Sequence, residues 1–322
     1  MFMSAGLLVG LMLFVLSASA ALGQPEEEWN VTYGGPGHEV GGPMSSIRDG
    51  GYVLTGMTES YGAGNGDLWL LKSDRNGSKI WDKTFGGGGI DVGESVYETK
   101  DGDYIVAGYT TSFGAGGKDA WLVKTDSDGK RVWDQTLGGP GDDAAWSSME
   151  TVDGRYVVLG CTDSYGIGKG DAWMVKTNAD GEEEWNRTFG GPSDDEGMAV
   201  VETSDGGFII AGRTDSYGVG GYDGWLIKAD SEGNELWKKT FGGAGQDGIS
   251  SVLETDDGYV AAGFTNSFGS GKYEVWLLKI DLEGVELWNR TVGISAGDFG
   301  NSIQKMTDGG YVVTGWTSRD GT

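Results

Sequence analysis

Histidine and cysteine are almost missing from this chain: of its 322 residues, only His38 and Cys161 represent them. One cysteine excludes an intramolecular disulfide and any cysteine-based metal centre. Cys161 stands in an apolar strand pattern, YVVLGCT, where a buried, inert thiol is the default expectation. With one histidine, a Ser-His-Asp triad, a Cys-His pair or a zinc site would each have to rest on His38. Proline is scarce too, at five residues, and the 62 glycines follow no Gly-X-Y period, which excludes collagen. Positive charge is in deficit, with 23 Lys and Arg against 49 Asp and Glu and a net charge of −26. That balance argues against nucleic acid and anionic membrane as partners, because both require a basic face.

Long apolar runs are missing as well, apart from residues 5–22 (AGLLVGLMLFVLSASAAL). Ala18-Ser19-Ala20 supplies an A-x-A cleavage pattern, so residues 1–23 read as a secretory signal peptide. No Lys or Arg precedes the run, and its length approaches a membrane span, so an uncleaved N-terminal anchor is the second reading. Both place the remainder outside the cytoplasm, secreted or at the cell surface, after a short acidic linker at 24–28.

What is present is aromatic and periodic. Thirteen Trp and thirteen Tyr argue against disorder, since such area offsets ordering entropy. Trp29, Trp81, Trp133, Trp185, Trp237 and Trp288 open units spaced by 52 residues, the last interval being 51. The openings read WNVTYGG, WDKTFGG, WDQTLGG, WNRTFGG, WKKTFGG and WNRTVGI. The domain is therefore 29–322, in units 29–80, 81–132, 133–184, 185–236, 237–287 and 288–322. In the second unit, SVYET, DYIVAGYT and DAWLVKTD read as three strands, and a fourth crosses the next Trp. Asp-Gly turns at Asp49, Asp101, Asp153 and Asp205 join the first two strands, and DSDG or DSEG turns at Asp126 and Asp230 the last two.

Four antiparallel strands in about 50 residues make a β-propeller blade. The prediction is an all-β propeller of about six four-stranded blades, the last incomplete, or a fragment of a larger ring. Trp29–Tyr33 is then an orphan outer strand free to join the last unit. A second periodic Trp in strand three (Trp69, Trp121, Trp173, Trp225, Trp276) is expected to pack blade against blade.

The run LVKTDSDGKRVWDQTLGG, Leu122 to Gly139, resembles the blade signature of quinoprotein-like propellers, and the strand order also resembles kelch repeats. The phrases WxxTFGG, TSDGGFIIAGRT and DGWLIKADSEGNELW resemble tandem repeats of surface proteins from methanogenic archaea and some bacteria, across residues 29–318. That resemblance implies a fold with no enzymatic role attached. No set of quinone-cofactor ligands accompanies it, so the quinoprotein likeness implies shape alone.

Two features recur on the side of the longer, glycine-rich loops, where recognition is expected. An acid follows each opening Trp by ten residues: Glu39, Asp91, Asp143, Asp195, Asp247 and Asp298. These six are candidate ligands of a hard cation such as calcium, the one cofactor considered. The reading favoured over it is that each carboxylate accepts N–H bonds from its loop and locks the turn. The second loop, S-[YF]-G-x-G-x-x-[DE], carries Tyr61, Phe113, Tyr165, Tyr217 and Phe268 and ends on Asp67, Asp119, Asp171, Asp223 or Glu274. Its aromatics either face a ligand or, the favoured reading, cap the core. Lys72, Lys124, Lys176, Lys228 and Lys279, three residues after the strand-three Trp, are expected to pair with nearby acids. Asn30, Asn76, Asn186 and Asn289 open N-x-[ST] sequons and are candidate glycan acceptors.

Equivalent acids in near-identical surroundings suit glycoside hydrolysis poorly, because that mechanism separates the pKa values of two carboxylates. The expectation is a non-enzymatic extracellular module that binds a protein or glycan, with a structural envelope element as the alternative and a carboxylate-based glycan hydrolase as the weaker one. The departures from the repeat, His38, Trp146, Cys161, Arg213 and Trp316, read as scattered among the blades.

Overall fold

A computed structural model of the chain describes residues 13–16, 27–270, 272–293, 297–306 and 309–318. All the described elements are strands. β1 (Leu13–Leu16) and β2 (Glu27–Val31) pair antiparallel. The first blade follows as β3 (Glu39–Ser46), β4 (Tyr52–Thr58), β5 (Asp67–Ser73) and β6 (Lys79–Phe85), and the second as β7 (Asp91–Glu98), β8 (Tyr104–Thr110), β9 (Asp119–Thr125) and β10 (Arg131–Leu137). The third is β11 (Asp143–Glu150), β12 (Tyr156–Thr162), β13 (Asp171–Thr177) and β14 (Glu183–Phe189), and the fourth β15 (Asp195–Glu202), β16 (Phe208–Thr214), β17 (Asp223–Ala229) and β18 (Glu235–Phe241). The fifth is β19 (Asp247–Thr255), β20 (Gly258–Thr265), β21 (Glu274–Ile280) and β22 (Glu286–Val292), and the last sheet has β23 (Gly297–Lys305) and β24 (Tyr311–Ser318). Every sheet runs in sequence order, so each four-stranded blade is a simple meander. The chain divides into two units, 1–145 and 146–322.

The first unit shows how blades pack. Val53, Leu68 and Leu70 of the first blade meet Val96, Tyr104, Val106, Trp121 and Val123 of the second in one buried cluster. Trp81, on the outermost strand of the first blade, meets Tyr104 of the second edge-on, ring centroids 5.8 Å apart. Trp29 repeats that geometry one blade earlier, packing on Tyr52 at 6.1 Å. Trp29 thus sits as an outer-strand Trp before the first blade, and β2 pairs with β1. Of the apolar run expected as signal peptide or anchor, Leu13–Leu16 is a strand, and Ala18-Ser19-Ala20 lies outside the described residues.

The second unit repeats the scheme. Trp225 lies fully buried among Leu159, Met174, Phe189 and Ile227, and Trp276 among Ile209, Leu226, Ile249 and Leu278. A Trp of this size buries about 150–250 Å², worth several kcal/mol at about 25 cal/mol per Å². The opening Trp contributes from the other side. Trp185 lies beneath the turn at Gly233, whose φ is +76°, and a Cβ there would come within 2.7 Å of the indole. Only glycine meets both demands. The last sheet packs on the fifth blade through Ile303 and Val313 against Val260, Ala262 and Leu277.

Candidate functional site: the loop end of the blades

The innermost strand of each four-stranded blade begins on the repeated acid itself, and β23 begins one residue before Asp298, both earlier than the sequence pattern suggests. The Asp91 N–H bonds to the Gly66 carbonyl at 2.8 Å, which extends the strand by its first residues. All six acids are buried: Glu39, Asp91, Asp143, Asp195, Asp247 and Asp298. Asp91 accepts the Gly87 N–H at 2.9 Å, the Ser112 hydroxyl at 2.7 Å and the Thr110 hydroxyl. Asp195 takes the equivalent bonds from Gly191, Ser216 and Thr214. Asp143 and Asp247 accept from Gly139 and Gly243 at 2.8 and 2.9 Å, and Glu39 from Thr58 at 3.1 Å. These bonds tie the loop before the strand to the loop after its neighbour.

The second set of acids does the same for the other loop. Asp67 accepts from Ala63 and Gly64, Asp119 from Ala115 and Gly116, and Asp171, Asp223 and Glu274 from Ile167, Val219 and Ser270. The two sets meet in pairs across the first glycine of the FGG motif. A Cβ built on Gly190 would stand 1.7 Å from Asp171 Oδ1 and 2.9 Å from Asp195 Oδ2. Gly86 is flanked likewise by Asp67 and Asp91, and Gly242 by Asp223 and Asp247. Asp171 Oδ1 and Asp247 Oδ1 are buried without a hydrogen-bond partner. Burial raises the Asp171 carboxyl pKa, and the neighbouring Asp195 adds to this; burial and Asp247 raise Asp223 in the same way. Among the described residues, no three His, Cys, Asp or Glu side chains are grouped to hold a metal ion.

The loop aromatics lean on the strand-three tryptophans. Tyr61, Phe113, Tyr165, Tyr217 and Phe268 lie 5.7–6.3 Å from Trp69, Trp121, Trp173, Trp225 and Trp276. Tyr61, Phe113, Tyr165 and Phe268 stay exposed, while Tyr217 is half-buried, with Lys238 Nζ 4.4 Å from its ring and its hydroxyl donating to the Gly190 carbonyl at 2.7 Å. They cap the core with one face and show the other.

At the opposite end of the blades, the repeated lysines are more deeply placed than surface pairing requires. Lys228 keeps only 6% of its side chain exposed while reaching Asp205 at 3.0 Å. Lys72, Lys124, Lys176 and Lys279 make the same pairs with Asp49, Asp101, Asp153 and Asp257. The Thr203 hydroxyl, working against burial and joined by the Gly207 N–H and Lys228, holds the Asp205 carboxyl down at about 2. A further stitch was not anticipated from sequence. Glu98 accepts the Arg48 N–H, Glu202 the Val152 N–H and Glu254 the Ser204 N–H, each from the preceding blade. The recurring Glu-Thr before the Asp-Gly turn was the available signal.

Of the residues that break the repeat, Cys161, Arg213 and Trp316 share one place, whereas His38 lies in the loop before β3 and Trp146 on the innermost strand β11. Met57, Tyr109, Cys161, Arg213, Phe264 and Trp316 hold one register position, the residue just after the strand-two glycine. Arg213 pairs across the ladder with Glu196 and Phe299 with Trp316, as Val92 does with Tyr109. Cys161 is half-buried there rather than enclosed.

In the second unit this layer gathers into one polar-aromatic cluster. Arg213 Nη2 and Nε reach the two Glu196 oxygens at 2.8 and 3.0 Å, a bidentate pair. Its guanidinium lies 4.6 Å from the Tyr222 ring centroid. Burial opposes the Arg213 charge, but Glu196 outweighs it, with Tyr222 and Tyr273 adding to the upward shift. Tyr273 packs on Phe264 and Phe299 at 5.8 and 4.8 Å, and Phe299 stacks on Trp316 at 4.1 Å and 11°. Trp316 is 53% exposed. The first unit holds a smaller version, with Lys118 4.8 Å from the Tyr109 ring. Its neighbour Glu94 has a raised pKa, from burial that Lys118 only partly offsets.

The sequons lie on outer strands β2, β14 and β22, with Asn76 in a turn; Asn30, Asn76 and Asn289 are exposed and Asn186 is half-buried. His38 is exposed in the loop before β3.

No family model matches this chain. It is 25% identical over 212 residues to regulatory protein FlaEY of Caulobacter vibrioides, a match covering 55% of this chain and 22% of that protein. The chain thus spans less than a quarter of that relative's length. Among solved structures, it is similar to a protein of unknown function from Bacteroides caccae, with TM-score 0.50, 12% identity and coverage of 83% and 86% of the two chains. A putative 6-phosphogluconolactonase from Bacteroides fragilis gives TM-score 0.49 and 14% identity over 91% and 80%. The repeated four-stranded blades together with the first of these likenesses define the fold as a repeat β-propeller, and the likeness carries no further than the fold.

Proposed function

We propose that this chain is a non-catalytic, extracellular binding module, secreted or held at the cell surface, which recognises a neutral glycan at the Glu196–Arg213–Tyr222 cluster of its second unit. The observation that carries this reading is the concentration of unlike residues at one register position of otherwise uniform blades. Uniform positions serve the fold, and the cluster in the second unit has a bidentate Arg–Glu pair that the smaller Lys118–Tyr109 contact of the first unit lacks. A bidentate Arg–Glu pair offers fixed polar groups, and the half-open rings beside it offer apolar faces, a combination suited to a sugar ring. The net charge of −26 disfavours acidic ligands. Resemblance of the repeats to archaeal and bacterial surface proteins supports the location.

A glycan array probed with the purified chain tests the proposal. Binding to neutral glycans is expected, and Arg213→Ala or Tyr222→Ala should weaken it at least about tenfold while the unfolding midpoint stays close to that of the unmodified chain. Array binding that survives both substitutions, or no binding by the unmodified chain, overturns it.

A further inference from the structure

Three departures from the repeat meet in the second blade, within the first unit. Two of them stand where a strand-two residue lies against the residue that precedes the strand-three acid. In the first blade these positions hold Met57 and Gly66, and a Cβ on Gly66 would come within 2.7 Å of Met57 Sδ. In the second they hold Tyr109 and Lys118, with the ammonium 4.8 Å from the ring centroid. In the fourth they hold Arg213 and Tyr222, 4.6 Å apart. Both blades thus place a cation against a ring at the same two positions, with the partners exchanged. The third departure is Glu94, where the other sheets carry Gly42, Trp146, Met198, Ser250 and Asn301. It is the bulged residue of β7, between Gly93 and Ser95, and a bulge re-aims the side chain it carries. Glu94 is half-buried, and among the described residues no donor lies within hydrogen-bond distance of its carboxyl. Burial raises its pKa, Lys118 lowers it, and Glu94 in turn raises that of Tyr109, so the three groups share one field. A partly desolvated acceptor without a donor is a cost to the fold, which a donor on a ligand removes.

We propose that Glu94, Tyr109 and Lys118 form a second sugar subsite, so that each unit of the chain holds one neutral glycan. This site presupposes the neutral-glycan reading of the Arg213 cluster and extends it to the first unit. A sugar hydroxyl donates to the Glu94 carboxylate, a neighbouring hydroxyl oxygen accepts from the Lys118 ammonium, and the C–H face of the sugar ring packs on Tyr109. Lys118 is a point charge where Arg213 presents a planar fork already fixed by Glu196, so the second site is the weaker of the two.

The test is calorimetric titration of the neutral glycan bound most strongly on the array, as the free monovalent oligosaccharide. Two equivalents should bind the unmodified chain, the second at least about tenfold more weakly. Arg213→Ala should keep the weaker equivalent alone, whereas Glu94→Ala or Lys118→Met should keep the stronger alone. Ionised Glu94 works against the fold at pH 7, so the Glu94→Ala chain should unfold at a midpoint no lower than the unmodified one. A single equivalent, lost in Arg213→Ala and unchanged in Glu94→Ala and Lys118→Met, overturns the second site and leaves the first. A single equivalent kept in Arg213→Ala and lost in Glu94→Ala supports the Glu94 site and overturns the Arg213 reading instead. No binding by the unmodified chain overturns both, and a lowered Glu94→Ala midpoint overturns the second site by making Glu94 a structural residue.

Discussion

Two layers lie one residue apart at the loop end of every blade. The acids that open the innermost strands, such as Asp91 and Asp195, are buried and saturated with loop N–H and hydroxyl donors. The next ladder pair, Val92–Tyr109 in the second blade, Glu196–Arg213 in the fourth and Phe299–Trp316 in the last, changes from blade to blade, and its strand-two member stays partly open. Repetition marks the residues that a blade needs in order to fold, because each blade must solve the same turn and stacking problem. Departure at one fixed register marks residues that the fold leaves free. Under the proposed function, the difference separates structural from binding chemistry within a single chain.

The sharpest contrast is between two tryptophans. Trp225→Ala empties a fully buried position and should cost about 3–5 kcal/mol in urea unfolding. Trp316→Ala removes a half-exposed ring and should cost about 1 kcal/mol or less. Equal costs would erase the distinction between the layers.

Acid should loosen the turn end. The Asp101, Asp153 and Asp205 carboxyls sit at about 2, below their ordinary 3.8. A depressed acid stabilises the fold while ionised, so this contribution is complete above about pH 4 and is lost as pH falls through about 2. A thermal midpoint that stays flat from pH 4 to 2 would contradict the Lys–Asp–Thr arrangement.

Smaller effects probe the stitching and the acid pairs. Glu254→Ala removes the acceptor of the Ser204 N–H and hydroxyl and should cost about 1 kcal/mol in urea unfolding. Asp171→Asn should act with the opposite sign. The Asp171 pKa is raised by burial and by Asp195, so ionisation at neutral pH works against the fold, and stability from the protonated form is lost as pH rises through the folded pKa. An amide keeps an acceptor for the Ile167 N–H and removes the charge. The variant should melt higher at pH 7, with the gain shrinking as pH approaches 4; a lower melting point at pH 7 would refute the strained pair.

Much of the fold was legible in sequence because its signals are local: Trp spacing, Asp-Gly turns and alternating apolar residues each act within a few positions. The turn role of Asp91 and its equivalents followed from their recurrence beside glycines. The Asp171–Asp195 pairing across Gly190 was not legible, since it depends on two loops 24 residues apart meeting. The blade-to-blade bonds of Glu98 and Glu254 span 50 residues and were equally hidden. The scatter expected of the departures holds for His38 and Trp146 but not for Cys161, Arg213 and Trp316, which are unlike in chemistry and share one place only by strand register.

The central claim is that the variable layer binds and the uniform layer folds. Calorimetric titration of the strongest array glycan into three proteins tests it directly: the unmodified chain, Arg213→Ala, and Asp205→Asn at the opposite end of the same blade. The account predicts binding to the unmodified chain and to Asp205→Asn with equal affinity, and at least about tenfold weaker binding to Arg213→Ala. Undiminished binding to Arg213→Ala, or equal loss in both variants, would contradict it.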